Sequence, residues 1–484
     1  MTKTDTNFYV ATSIPYVNAA PHVGHAFEFI IADAIARYQR INGKQVYFST
    51  GADEHGSKIQ QKAVELGITP ERLAEQNVAV FKDLIPLLGV EYSRFIRTTE
   101  KTHLLGAAEI WKKLAPYIYK GSYSGLYDVR EETFITNEEA KHLMKTDPAR
   151  YDRLQKIEED NYFFKLSEFT EPVLEAIQSN KLRIVPETRR NEILKLLAGG
   201  LNDISITRPA DKVGWGIDVP GDPKQKIYVW FEALMNYLTT LDYPNGENFK
   251  NFWPCDVHVI GKDIIRFHAA IWPAMLLALK LELPKSIYVH GFITIDAQKM
   301  SKSVGNVISP VELVSTYGSD ATRYYFLRHI PSYDDGDFSW VKMESAYNNE
   351  LANELGNLIS RTATMISSSL DGHVSNLPKT SHDDGAYREA IDTFKFDQAL
   401  DSVWQTIKSL NQYVDEQKPW TIKDDPAHLN DVLAYLVASL LQLSVLLAPF
   451  LPNTSARITK IFSADKIVPP KPALFPKINK YTKS

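Results

Sequence analysis

The sequence predicts an α/β protein in which a parallel sheet is interrupted by an inserted domain and followed by an α-helical bundle. Three observations lead there. Strand, loop, helix and strand succeed one another up to Thr50, the same grammar returns between residues 227 and 289, and beyond Tyr333 the apolar residues take up helical spacing. A chain of 484 residues also exceeds one ordinary hydrophobic core, so several domains are expected.

Phe8 to Ser13 reads as a buried strand and Pro15 to Gly24 as a turn-rich loop. The helix that follows sets Phe27, Ile30, Ile31, Ala34, Ile35 and Tyr38 at i, i+3, i+4 and i+7, which gives it one apolar face. Asn42-Gly43 supplies its stop, and Gln45 to Thr50 is the next strand. This βαβ unit implies a parallel sheet with its ligand at the strand ends. Between Tyr117 and Lys226 the composition turns charged and aromatic, with no clear helical period before Leu166; it reads as a small separate domain packed on the sheet. Ile227 to Phe231 is strand-like and leads into a helix, Asp256 to Ile260 is a strand ending at Gly261, and Ser286 to Val289 is another. Leu351, Leu355, Leu358, Thr362 and Ile366 mark one helix face, and segments at Phe394–Tyr413 and Asp431–Leu447 complete a bundle. From Lys466 a Pro- and Lys-containing tail is expected to run extended over the surface.

Composition narrows the function classes. The chain is 44% hydrophobic and 23% charged, which fits a soluble globular protein. A net charge of −5 does not advertise nucleic-acid binding, although totals do not reveal a basic face. The single cysteine, Cys255, excludes an internal disulfide framework and a cysteine-based zinc knuckle. The N-terminus lacks a signal or transit pattern. Leu433 to Leu451 approaches the length of a membrane span, but Tyr435, Ser439, Gln442, Ser444 and Pro449 make it a buried bundle helix. A cytoplasmic location without membrane attachment is expected.

Two loops carry the chemistry. Pro21-His22-Val23-Gly24-His25 opens the first helix, where free N–H groups and the positive dipole end favour phosphate. Gly24 lets a flat adenine lie against the backbone, and His22 and His25 can both hydrogen-bond a polyphosphate. Alone, the match equally describes two surface histidines at a helix start. Lys299-Met300-Ser301-Lys302-Ser303 offers two lysines to charge developing on a phosphate; alone, it is an ordinary solvated basic loop. Because each follows a strand of the same inferred sheet, the two weigh more together.

At these residues the chain resembles the class I aminoacyl-tRNA synthetases, whose signatures are His-Ile-Gly-His and Lys-Met-Ser-Lys-Ser. The second is matched in full, and the first differs only by Val23 for Ile. Ser13-Ile14-Pro15-Tyr16-Val17-Asn18, Gly51-Ala52-Asp53-Glu54-His55-Gly56, Tyr228-Val229-Trp230-Phe231-Glu232-Ala233, Ile260-Gly261-Lys262-Asp263 and Phe267-His268-Ala269-Ala270-Ile271-Trp272-Pro273 resemble the methionyl-tRNA synthetase family within that class. The likeness covers nearly the whole chain. It implies a Rossmann-type catalytic domain and a methionine-tRNA ligase that activates L-methionine with Mg2+-ATP and transfers it to the 3′ end of tRNA(Met).

By the same resemblance ATP is held by His22, Gly24, His25, Glu28, Asp263, Lys299, Ser301 and Lys302, with His22, His25, Lys299 and Lys302 catalytic. Asp263 would hold the ribose, although the residues alone also allow a helix cap. The methionine pocket would use Ile14, Tyr16, Trp230, Ala233, Leu234, Tyr237, His268 and Trp272, aromatic walls suiting a soft thioether, with Asp53 pairing the substrate ammonium. Asn357 and Arg361, four apart on one helix face, and Trp420, a stacking plane, correspond to the family's anticodon-reading positions.

The implied domains are a catalytic domain in two halves, 1–117 and 227–298, around a connective insertion at 118–226. A Lys-Met-Ser-Lys-Ser loop and stem-contact region at 299–345, a helical anticodon-binding domain at 346–465 and a tail at 466–484 follow. One departure stands out: Asp128 and Glu131 occupy the place of a Cys-x-x-Cys pair that many relatives carry, so no structural zinc is expected. The chain ends without an appended tRNA-binding or dimerisation domain, so a monomer is expected. Three rival readings are weaker. A leucine, isoleucine or valine enzyme calls for a large editing insertion, and a cysteine enzyme for cysteine ligands. A small-molecule nucleotidyltransferase leaves Asn357, Arg361 and Trp420 without purpose. A non-enzymatic RNA-binding descendant is expected to lose His22, His25 or Lys302, and all are present.

Overall fold

The computed structural model describes residues 3–128, 133–135, 137–300, 305–380, 384–422 and 424–481. The chain forms two compact units: Met1–Ala20, Gly43–Asp83 and Tyr92–Val289 in the first, and Pro21–Asn42, Leu84–Glu91 and His290–Ser484 in the second.

The first unit is built on a six-stranded sheet. Its strands are β1 (Asn7–Thr12), β2 (Gln45–Ala52), β3 (Arg94–Arg97), β4 (Arg183–Val185), β5 (Val257–Gly261) and β6 (Ser286–His290), in the order β3-β2-β1-β5-β6-β4. β1 pairs parallel with β2 and β5, β2 with β3, and β6 with β4. The chain leaves β1 toward β2 and β3, whereas β5 lies on the other side. The C-terminal ends of β1 and β5 therefore flank a topological switch point, where open α/β sheets bind ligands. Tyr9 and Ala11 of the sheet share one core with Trp272 and Met275 and with Phe164, Phe169 and Ile177 from the 118–226 stretch. That stretch also supplies β4, and its own antiparallel sheet joins Thr133–Ile135, Ile118–Asp128, Gln155–Phe164 and Ile204–Ser205.

Two local expectations are corrected. Helices Asn137–Thr146 and Pro148–Tyr151 precede Leu166, where no helical period was expected. They rest on good helix formers such as Glu139, Ala140 and Lys141, and on an N-cap in which Asp147 Oδ1 accepts from Arg150 N–H at 3.0 Å. Ile227 to Phe231 is not a strand: Asp222–Ile227 ends an antiparallel ladder with Thr207–Pro209, and Val229–Ala233 is already helical. A short run buried on all sides carries no period that separates strand from helix.

In the second unit, helix Val23–Ile41 ends at Asn42 as its stop signal implies. Ile293–Ile295 pairs antiparallel with Gln298–Lys299 and parallel with Gly336–Phe338. Helices Asn357–Ser369, Phe396–Gln417, Pro426–Leu447 and Pro452–Phe462 form the bundle, with Leu351, Leu355, Leu358, Thr362 and Ile366 all buried. Pro426–Leu447 is long and apolar enough to cross a membrane by length and composition alone, yet most of it is buried in this bundle. Arg323, wholly buried, pairs with Asp33 at 2.7 Å and donates to the carbonyls of Pro449 and Phe450. The tail is pinned: Tyr481 stacks on Trp340 with centroids 4.8 Å apart, and Phe475 meets Tyr347 edge-on.

Candidate active site

In the first unit, the ends of β1 and β2 are stitched together beyond the sheet. Asp53 N–H donates to Pro15 O at 2.9 Å and Val17 N–H to Asp53 O at 3.1 Å, which sets Tyr16 beside Asp53. Asp53 is buried, Ile14 and Tyr16 are half-buried, and Lys58 lies 5.4 Å from the centre of the Tyr16 ring. Gly51 admits no side chain, because a Cβ would stand 2.2 Å from Ile96 O and 2.9 Å from Ile14 Cγ2.

The aromatic residues form a layered cluster. Tyr237 Oη lies 2.7 Å from His268 Nε2, and its ring is 5.7 Å from that of Trp272. Trp230 stacks on Phe267 at 4.8 Å, while Ala233 and Leu234 are buried on the adjoining helical turns. Desolvation pushes the His268 imidazole down to about 4, so it is neutral near physiological pH. Asp263 is exposed in a 3-10 turn just past the end of β5. The turns around it are capped at Gly261 and Arg266, which removes the helix-cap alternative for this carboxylate.

Glu232 and His258 carry weight that sequence reasoning missed. Glu232, fully buried, takes hydrogen bonds from His55 Nδ1 and His103 Nε2, both at 2.7 Å. Burial opposes its ionisation, but the two imidazoles hold its carboxyl below the ordinary range. One carboxylate thereby ties the turn after Asp53 to the helix bearing Trp230 and Ala233. His258 Nε2 accepts from Trp272 Nε1 at 3.2 Å while its ring packs 4.1 Å from that of Tyr237. Desolvation lowers its affinity for a second proton well below the ordinary imidazole range. Glu232 lies in the Tyr228–Ala233 segment and His258 in the run from Asp256 to Ile260 that the sequence predicts as a strand; the signal is a carboxylate and an imidazole inside runs otherwise apolar.

In the second unit, His22 is the N-cap of helix Val23–Ile41. Its Nδ1 accepts from Gly24 N–H at 3.1 Å, and His25 Nδ1 accepts from His22 N–H at 3.2 Å. Both rings are thus pinned as acceptors at Nδ1, leaving the proton of each neutral imidazole on Nε2. They stack with centroids 3.9 Å apart. A Cβ on Gly24 would stand 2.9 Å from His22 Cε1, so the bare glycine is what lets this ring fold over the backbone. Desolvation, with His22 and His290 nearby, holds the His25 imidazole well below its ordinary value. Glu28 pairs with His290 at 3.0 Å. Lys299 closes the Gln298–Lys299 strand, whereas Ser301 and Lys302 lie outside the described residues.

Asn357 is exposed at the start of its helix, and one turn on the Arg361 guanidinium lies 5.5 Å from the centre of the Trp420 ring. Trp420 is 49% exposed, in a 3-10 turn, and so presents a face to solvent. Asp128 sits buried in a 2.7 Å ion pair with Arg150, and Glu131 lies outside the described residues. Among the described residues no three His, Cys, Asp or Glu side chains stand together as a metal set. The residues present at Asp128 do not fit zinc.

The family profile described as "tRNA synthetases class I (M)" matches residues 8–157 and 139–363. The chain is 40% identical over 476 residues to a methionine--tRNA ligase of Brucella melitensis, covering 94% of this chain and 92% of that one. It is 42% identical over 472 residues to a methionine--tRNA ligase of Clostridium perfringens, covering 93% and 72%. Among solved structures it resembles Mycobacterium tuberculosis methionyl-tRNA synthetase in complex with methionyl-adenylate, with a TM-score of 0.89 at 37% identity over 97% of this chain and 100% of that one.

Proposed function

The chain belongs to the tRNA synthetases class I (M), and from that premise we propose how its residues divide the work. It is an aminoacyl-tRNA ligase that activates methionine with ATP and charges tRNA. In our reading the methionine carboxylate attacks the α-phosphorus of Mg2+-ATP, which expels pyrophosphate and leaves methionyl-adenylate. The terminal ribose 2′-hydroxyl of tRNA(Met) then attacks the adenylate carbonyl and releases AMP.

Neither step needs covalent catalysis by the protein; position and charge stabilisation supply the rate. Asp53 takes the ammonium. Tyr16, Trp230, Tyr237 and Trp272, with Ile14, Ala233, Leu234 and His268, wall the thioether. His22 and His25 donate Nε2–H to the triphosphate, Asp263 holds the ribose, and Lys302 with Lys299 meets the departing pyrophosphate. Gly24 and Ser301 complete the nucleotide site and Glu28 borders it on the same helix, while Asn357, Arg361 and Trp420 read the anticodon. We assign residues 1–117 and 227–298 to the catalytic domain, 118–226 to the connective insertion, 299–345 to the loop and stem-contact region and 346–465 to anticodon binding. The enzyme works as a cytoplasmic monomer.

The observation that carries the site reading is the capping box at the start of helix Val23–Ile41, in which both signature histidines accept at Nδ1 from backbone N–H groups. Methionine-dependent ATP–pyrophosphate exchange across a panel of amino acids tests it. Methionine is expected to support exchange, and Lys302→Ala to depress it far more than methionine binding. Exchange with another amino acid alone overturns the substrate, and unchanged exchange removes Lys302 from its role.

A further inference from the structure

Resting on the reading of residues 22–28 as the nucleotide loop, we propose that Glu28 and His290 are a proton-sharing positioning pair. It fixes the first turns of helix Val23–Ile41, and with them His25, to the strand end that leads into the Lys299–Ser303 loop.

The proton count carries the argument. His290 Nδ1 lies 2.9 Å from the carbonyl of Gly291, which can only accept, so Nδ1 bears a proton. Nε2 lies 3.0 Å from Glu28 Oε2. An ionised carboxylate also only accepts, so this contact holds one further proton, on the imidazole or on the carboxyl. Either way the pair is neutral overall, which makes it tolerable in a nearly closed site; the two side chains are 7% and 11% exposed. Phe27 meets the His290 ring edge-on at 5.3 Å and is itself backed by Phe326.

Both ends of the pair are anchored. Glu28 lies one turn beyond His25 on the same helix. His290 precedes a segment locked to residues 334–336: a Cβ on Gly291 would stand 2.2 Å from Asp334 O, Phe292 N–H donates to Asp335 Oδ1 at 2.8 Å, and Gly336 N–H donates to Phe292 O at 2.9 Å. The hydrogen bond therefore joins a helix start to a fixed strand junction. Glu28 and His290 act through His25 and the anchored Gly291–Phe292 junction, so they are positioning residues.

Glu28→Ala and His290→Ala are expected to lower kcat for methionine-dependent pyrophosphate exchange by about 10- to 100-fold, the scale of an ångström-level misplacement of reacting groups. The KM for methionine should stay within about twofold, and the double variant should be no worse than either single one. Glu28→Gln is the deciding variant. Its amide N–H can donate to a neutral His290 Nε2 and keep the link, so it should recover about tenfold or more of the kcat that Glu28→Ala loses. If Glu28→Gln is as poor as Glu28→Ala, the carboxylate acts on the nucleotide directly and the proposal is overturned. Full activity in Glu28→Ala overturns it as well. Should the alanine variants fold poorly, Glu28→Asp, one methylene too short to reach, takes their place with the same expectations. If the parent exchanges with an amino acid other than methionine, the substrate reading fails alone, and the pair is judged with that amino acid.

Discussion

The hydroxyl of Tyr237 donates to Nε2 of His268 across 2.7 Å, because His268 Nδ1 has already spent its proton on the carbonyl of Ile264 at 2.9 Å. A neutral imidazole has one N–H, so the direction of both bonds is settled. Tyr237→Phe leaves a buried nitrogen without its donor, a loss of about 1–3 kcal/mol. In exchange assays the KM for methionine should rise by about tenfold, with the KM for ATP much less affected. An unchanged methionine KM would detach this pair from the pocket.

The same neutrality has a pH signature. His268 has its folded-state value lowered to about 4, and His258 is displaced the same way. Below the ordinary imidazole value of about 6.5 the unfolded chain binds a proton that the folded protein refuses, so stability falls as pH falls. The loss begins near 6.5 and for His268 is complete at about 4, on the order of 3 kcal/mol over that window, with nothing gained above it. Urea midpoints at about pH 7.5 and about pH 5 should show this slope. His268→Gln should flatten part of it.

These two pairs also show how far the sequence could be read. Tyr237 and His268 follow from the family resemblance alone, whereas His22 and His25 are legible at a loop–helix junction, because short spacing at a helix start is written in the chain. That Glu232 joins His55 and His103 was not legible: its partners lie 177 and 129 residues away. The sheet was visible in its β-branched runs, whereas Val229–Ala233 is helical despite similar composition, since burial on all sides erases the period that separates strand from helix. Lys302, plain in the sequence, rests on its motif.

Arg323 ties several parts of the second unit together. Its guanidinium serves four acceptors, Asp33 at 2.7 Å, Phe450 O at 2.7 Å, Pro449 O at 2.9 Å and Leu88 O at 3.5 Å, and it is wholly buried. Arg323→Leu takes the buried cation from three carbonyls and leaves Asp33 with only Arg37, at 2.8 Å, as its ion-pair partner, so a loss of about 3–5 kcal/mol is expected. Arg323→Lys should recover little, because a point charge cannot reproduce the planar fork. Denaturant unfolding of both variants checks this; a near-parental lysine variant would show that charge alone suffices.

Arg361 and Trp420 offer a separation of the two chemical steps. The guanidinium lies 5.5 Å from the Trp420 ring centre and 3.3 Å from Asp415 Oδ1, while the indole is 49% exposed. A base stacked on that face is worth about 1–3 kcal/mol. Trp420→Ala should therefore cut kcat/KM for tRNA charging by about tenfold or more while leaving pyrophosphate exchange intact. Arg361→Ala should follow in the same direction. Parallel loss of exchange would mean that the substitution had disturbed the fold rather than RNA recognition.

The insertion offers the metal test. A structural zinc site would make folding depend on metal, so a chelator would unfold it. At Asp128 the carboxylate is 6% exposed and its oxygen is paired with Arg150 Nε at 2.7 Å, so the position is stabilised by an internal cation. Exhaustive dialysis against EDTA should leave the melting temperature within about 1 °C of its starting value, since less than about 0.1 equivalent of zinc should co-purify. Exchange should return once Mg2+ is supplied with ATP. Arg150→Ala should be mildly destabilising, because its guanidinium is 34% exposed and partly screened by water. Stoichiometric zinc, or collapse of the insertion on chelation, would show that ligands other than cysteine have replaced the thiolates.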